Sequence, residues 1–191
     1  YINSLEKLFP NFGASTPIKL VRIATNFELL DLSLLASDWL KNKGFKVGIN
    51  ITKISEIDKN KLKDLLKKIN KFHIDVLYLA DSLGSINPPK IKNIFELIKG
   101  DYNIPLGIHT HDNLGLALSN TLAAIEYGAE WIDSTILGMG RGPGNCKTEE
   151  ILIELNNLDG LHKISPIIEI ISNHFIKLKN FHKWGTNPYY Y

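Results

Sequence analysis

Cysteine is nearly missing from this chain: Cys146 is the single one in 191 residues. One thiol cannot close an internal disulfide, so nothing points to an oxidising compartment. No apolar run approaches the roughly 18–20 residues that a membrane helix needs. No charged-then-apolar signal segment stands at the start. A cytoplasmic protein with no membrane partner is the default expectation. Excess charge is lacking as well. The formal net charge is +2, and the lysines are scattered along helical stretches. That argues against a nucleic-acid partner, which calls for a basic stripe, and for solvated helix faces. No G-x-G-x-x-G follows the first strand-like run, so a dinucleotide fold has no positive support. What remains is an ordinary globular composition on a chain long enough to bury a core.

Short β-branched runs recur with helical stretches between them. Ile18–Ala24 (IKLVRIA) precedes Leu29, Leu30, Leu32, Leu35 and Leu40 at helix-like positions, and Lys46–Ile51 (KVGINI) precedes Leu62, Leu65, Leu66 and Ile69 at helical spacing. Asp75–Ala80 (DVLYLA) leads through Asn87-Pro88-Pro89 into Ile91, Ile94, Phe95 and Ile98. Proline suits a helix start, where a missing N–H costs nothing. Pro105–His109 (PLGIH) precedes a helix over Leu114–Tyr127, and Trp131–Ile136 (WIDSTI) precedes one over about Thr148–Leu155. The runs are spaced about 26–30 residues apart, the size of one strand–helix unit. Alternation of this kind predicts an α/β fold with a parallel sheet. Five units fit an open doubly wound sheet as it stands, or a (β/α)₈ barrel that lacks three units, about 90 residues. Periodicity does not choose between them. A further helix pattern runs from Ile164 to Leu178, and Trp184-Gly185-Thr186-Asn187-Pro188 reads as a turn leading elsewhere.

The densest chemistry lies in Gly107-Ile108-His109-Thr110-His111-Asp112-Asn113. Side chains two apart on a strand share a face, so both imidazoles can converge on one point. Two neutral imidazoles begin a divalent-metal site that carboxylate or water must complete. On spacing alone a fortuitous H-x-H is the stronger reading, because two ligands do not make a site. Position favours the metal: α/β proteins of both architectures put their sites at strand C-termini. The next unit carries Gly138-Met139-Gly140-Arg141-Gly142-Pro143-Gly144-Asn145, whose glycines allow close backbone approach to a ligand. The third unit ends in Asp81-Ser82-Leu83-Gly84. An aspartate there is more often a capping or loop residue than a catalytic one.

Asp81–Gly84 (DSLG), His109–Ala129 (HTHDNLGLALSNTLAAIEYGA) and Gly138–Glu150 (GMGRGPGNCKTEE), with Asp133-Ser134-Thr135 between them, resemble the HMG-CoA-lyase-like (DRE-type) metal-dependent barrel family. The likeness runs in order from about Val21 to Leu155 and is nearest the pyruvate-aldolase branch, whose type is 4-hydroxy-2-oxovalerate aldolase. It implies a (β/α)₈ TIM barrel, represented here by its C-terminal part, about five βα units over residues 1–160. Residues 161–191 would form a helical C-terminal extension. It implies that His109 and His111 are metal ligands and that Asn145 is a ligand or orients one, with Asn113 behind the histidines. The metal would be Mn²⁺ or Mg²⁺, with Mn²⁺ favoured by the imidazoles. Asp81, Ser82 and Arg141 are the candidates on the substrate side. Arg141 departs from a smaller residue in the aldolases and either binds a carboxylate or phosphate, or is a plain surface arginine. Cys146 follows Asn145, whereas the lyases carry their cysteine before it, so no role is transferred to it.

The activity implied is carbon–carbon bond cleavage or formation next to a keto acid, by way of an enolate, with a keto acid and an aldehyde as small-molecule partners. An acyl-CoA-dependent Claisen-type synthase or lyase is the rival within enzymes, and a non-catalytic binding barrel the rival outside them. The family's strand-one aspartate and its neighbouring arginine have no counterpart here. Together with Tyr1 at the start and Tyr189, Tyr190 and Tyr191 at the end, this leads us to expect a piece of a longer polypeptide. Such a piece would be inactive alone, and the full-length protein a homo-oligomer. Five-eighths of a barrel would also expose two sheet edges and an apolar interior, and so aggregate readily.

Overall fold

The computed structural model describes residues 2–9 and 16–186. Five strands form one parallel sheet in the order β1 (Leu20–Thr25), β2 (Lys46–Ile51), β3 (Val76–Asp81), β4 (Leu106–Thr110) and β5 (Trp131–Ile132). A short α1 (Ile2–Leu8), which the sequence pattern did not suggest, comes first. Between successive strands run α2 (Leu30–Asn42), α3 (Lys59–Ile69), α4 (Pro88–Asp101) and α5 (Ala117–Glu126), and α6 (Thr148–Asp159) follows β5. The pattern extending from Ile164 becomes α7 (Ser165–Ile170), a π-helical turn over Ile171–Phe175, and α8 (Ile176–His182). No helix among the described residues is long and apolar enough to cross a membrane.

The helix starts follow from local chemistry. The Asp58 carboxylate accepts the Asn60 and Lys61 backbone N–H groups at 2.9 Å each, opening α3. Asn87 accepts from the Lys90 N–H at 3.1 Å, just before the two prolines of α4. Each cap satisfies donors that have no partner inside the helix.

Strand alternation sorts the sheet into two unlike faces. Ile49, Ile51, Leu77, Leu79, Leu106 and Ile108 share one face, and they form a single buried cluster with Leu34, Leu65, Leu66, Ile91, Phe95 and Ile98 of the helices. That layer is the core; each such side chain, fully buried, stabilises the fold by about 1.5–3 kcal/mol. The opposite face carries Arg22, Gly48, Asn50, Val76, Tyr78, Gly107, His109 and Trp131, brought into line by the register Arg22–Gly48–Val76 and Asn50–Tyr78–Gly107–Trp131.

The strand order never reverses, so the sheet has no switch point of the doubly wound kind. It also curls. In a flat sheet β1 and β5 would stand roughly 19 Å apart, four inter-strand spacings, which is beyond the reach of an arginine side chain. Yet Arg22 on β1 touches Asp133, just past β5, at 2.7 Å. The five units therefore form part of a closed barrel, with helices outside. The concave face differs from the apolar interior expected for such a part. It is built from an arginine, an asparagine, a histidine, two aromatics and small residues, and the large aliphatic side chains go to the helix side.

Strand β5 is shorter than the run Trp131–Ile136 suggested. After Ile132 the chain leaves the sheet, and Thr135 exchanges backbone bonds with the later loop, donating to Cys146 O at 2.9 Å and accepting from the Thr148 N–H at 3.0 Å. Trp184 does not lead away from the body: its indole N–H donates to Leu137 O at 3.1 Å. Pro188 and the final tyrosines lie outside the described residues.

Candidate metal and substrate site

The C-terminal end of β4 is joined directly to the glycine-rich loop. The Asp112 N–H donates to Gly144 O at 2.9 Å and the Cys146 N–H to Thr110 O at 3.2 Å, with His111 and Asn145 paired as an antiparallel bridge. The loop can turn so tightly because Gly144 takes φ +105°, where a side chain would also run into the Gly138 carbonyl. Gly140 leaves room for Asn145: a Cβ there would lie 2.5 Å from its amide nitrogen. In this way Asn145, distant in sequence, meets His109 and His111 at one strand end.

His109 and His111 have ring centroids 5.2 Å apart at an interplanar angle of 72°. His109 Nδ1 lies 3.0 Å from Asp133 Oδ2. His111 is different, because its Nδ1 is buried and has no hydrogen-bond partner. Burial first, then the nearby His109 and Arg141, holds the His111 imidazole down at about 4, so at neutral pH it is uncharged. Asn145 is 8% exposed; its amide nitrogen donates to Met139 O at 3.2 Å, while its Oδ1 is buried without a partner. A buried acceptor left unpaired costs about 1–3 kcal/mol. Neutral imidazole and amide oxygen are donors that a divalent cation takes up, and the two orphaned atoms fit one. The donor set is partial. Among the described residues no three His, Cys, Asp or Glu side chains come together as a ligand cluster.

On the substrate side, the Arg141 guanidinium crosses from the glycine-rich loop and donates to Ser82 O at 2.6 Å. The Ser82 hydroxyl accepts the Lys53 N–H at 3.1 Å. Asp81 is fully buried, and its two oxygens accept the N–H groups of Ser85 and Ile86 at 3.1 Å each. It shapes the loop after β3 and is closed off from a ligand. Asn113 packs over Gly84, where a Cβ would lie 2.6 Å from its Oδ1, and it makes no hydrogen bond to either imidazole. Cys146 is buried, and burial pushes its thiol up to about 11, against the opposing pull of a Thr121 hydrogen bond. A thiol so rarely ionised is no nucleophile.

Three residues absent from the sequence-based candidates belong to this cluster. Asp133 receives both terminal nitrogens of Arg22, at 2.8 and 2.7 Å, besides its contact with His109. Burial works to raise the Asp133 carboxyl, but the His109 and Arg22 hydrogen bonds and the Arg22 charge outweigh it and hold it below the ordinary range. The Arg22 guanidinium lies 3.5 Å above the centre of the Tyr78 ring. One signal pointed there: a lone arginine inside the β-branched run LVRIA is an unpaired charge in a strand, and such a charge needs a partner.

The HMGL-like family model matches residues 28–182. Among curated relatives, 4-hydroxy-2-oxovalerate aldolase of Pelotomaculum thermopropionicum is 36% identical over 138 residues, covering 72% of this chain and 41% of that protein. Among solved structures, the N-terminal domain of a candidate aldolase from Bacteroides vulgatus is 36% identical with a TM-score of 0.81, over 90% of this chain and 57% of that one. HMG-CoA lyase of Bacillus subtilis shares the fold, with a TM-score of 0.76 at 17% identity over 88% of this chain and 65% of that one. The chain spans less than half the length of the curated relatives it matches. Its parallel βα units are those of a partial TIM barrel, and the chain belongs to the HMGL-like family.

Proposed function

We propose that this protein serves a divalent-metal-dependent carbon–carbon lyase of the aldolase type, acting on a 2-keto acid and an aldehyde. The observation that carries the reading is the meeting of His109, His111 and Asn145 at one strand end, with His111 Nδ1 and Asn145 Oδ1 both buried and unpartnered. His109, His111 and Asn145 would hold the cation, Mn²⁺ or Mg²⁺. When bound, it would supply Lewis acidity to a keto oxygen and so favour an enolate.

The chain's own residues do the rest of the binding. Arg141 spends one N–H on Ser82 O, and its remaining donors suit a carboxylate taken up in two-point fashion. The Ser82 hydroxyl already accepts from Lys53, so its own proton is free to reach a substrate oxygen. Asp81 holds the loop that carries Ser82. Relatedness to a 4-hydroxy-2-oxovalerate aldolase at 36% identity supports the substrate class.

Proton exchange tests the reading. With pyruvate and Mn²⁺ in D₂O, the methyl signal should fade by NMR only when metal and protein are both present, and His109→Ala should lose bound Mn²⁺. Persistence of the methyl signal in the full-length protein with metal would refute the aldolase reading.

A further inference from the structure

We infer that Asp133, braced by Arg22, sets the tautomer and tilt of the His109 ring, so that Nε2 is left with its lone pair free for a ligand. The inference rests on the metal reading for the purpose of that lone pair, but not for the tautomer itself.

A carboxylate in an ion pair only accepts hydrogen bonds. With Asp133 Oδ2 at 3.0 Å from His109 Nδ1, the ring proton sits on Nδ1. A neutral imidazole has one N–H, so Nε2 becomes the acceptor. The carboxylate plane is itself fixed, because Oδ1 takes Arg22 NH1 at 2.8 Å and Oδ2 takes NH2 at 2.7 Å. Such a two-point fork sets orientation as well as distance. Arg22 is held in turn by its stack on Tyr78 at 3.5 Å, and Tyr78 lies so close over Gly107 that a Cβ there would meet its ring at 2.5 Å.

The chain of contact thus draws on β1, β3, β4 and the end of β5, and all of it bears on one imidazole. His111 has no such brace, so the two histidines are unequal: one is oriented in advance and the other has a free Nδ1. Both terminal nitrogens of Arg22 are engaged on Asp133, which makes it a positioning residue and leaves Arg141 as the substrate anchor. Outer partners of this kind are worth about 10- to 100-fold in metal affinity when removed.

Long-range ¹H–¹⁵N spectra of the metal-free protein read the tautomer directly. The wild type should show His109 protonated at Nδ1. In Asp133→Asn the carboxamide can turn its NH₂ toward Nδ1, so the proton should move to Nε2, and the Kd for Mn²⁺ by EPR should rise about 10- to 100-fold. Arg22→Met keeps the carboxylate but frees it to rotate, so it should give a mixture of tautomers and a smaller loss of affinity. An unchanged tautomer in Asp133→Asn overturns the inference; if that variant does not fold, an unchanged tautomer in Arg22→Met overturns it instead. A wild type that binds no Mn²⁺ removes the metal reading, while the ring spectra still decide the role of Asp133.

Discussion

Replacing Gly107 by alanine adds one methyl group at the centre of the concave face, and the structure determines the sign of its effect. In most strands the change would stabilise by about 0.4–1 kcal/mol, because alanine leaves the unfolded chain fewer conformations. Here the new Cβ would lie 2.5 Å from two carbons of the Tyr78 ring and 2.7 Å from a third. Comfortable carbon contacts need about 3.5–4.0 Å, so the ring must move by roughly 1 Å. It has nowhere easy to go: Tyr78 is 3% exposed and Arg22 covers it at 3.5 Å. Overpacking of a fixed site costs about 1–3 kcal/mol. After the entropic offset a net loss of about 1–2 kcal/mol remains, which for a chain of this size lowers Tm by about 2–8 °C.

The decisive measurement is a double-mutant cycle in thermal or urea unfolding. Tyr78→Ala alone should cost about 3–5 kcal/mol. In that background the clash is gone, and Gly107→Ala should become neutral or mildly stabilising, a reversal of sign. Equal destabilisation by Gly107→Ala with and without the Tyr78 ring would refute the reasoning and place the strain elsewhere.

Two further outcomes are expected. Asp81→Asn keeps the shape but sets an amide NH₂ against one of the Ser85 and Ile86 N–H groups in a fully buried loop; the lost bond should cost about 1–3 kcal/mol, and a Tm within 1 °C of wild type would contradict the capping role. His111, held at about 4 in the fold against an ordinary 6.5, takes up its proton more readily when unfolded. Its contribution to stability is therefore complete above about pH 6.5 and declines as pH falls toward 4. The urea midpoint of wild type should fall relative to His111→Gln over that interval, and parallel pH profiles would count against the buried neutral imidazole.

Much of this was legible in the chain itself, for reasons that separate local from distant effects. The runs KVGINI and DVLYLA and the leucine spacing of α3 are local patterns; the two runs became β2 and β3 with boundaries within a residue, and the spaced residues Leu62 to Ile69 lie within α3. The H-x-H pair was visible because the two histidines are two residues apart at the end of one strand, His109 in β4 and His111 just past it. Asp133 was not, because its role depends on Arg22, a partner 111 residues away, and only the curl of the sheet brings the two together. Strand β5 was overextended because WIDSTI has the composition of a strand throughout. What ends it is the competing set of backbone partners that Cys146 and Thr148 offer to Thr135.

The same curl explains why the concave face can be polar without loss of stability. Apolar burial is concentrated where Leu77, Leu79, Ile108 and their neighbours meet the helices, so the inner face is free to carry groups that a core would not tolerate. A charge there must still be matched, and Arg22 is matched twice, by the Asp133 carboxylate and by the Tyr78 ring. Part of that matching is used to orient His109, so the ion pair that closes the two edges of the described sheet also fixes one candidate ligand. Stability and chemistry are therefore coupled at this point. Substitutions on the helix side of the sheet should lower Tm without changing Mn²⁺ affinity, whereas those at Arg22, Tyr78 or Gly107 should change both together.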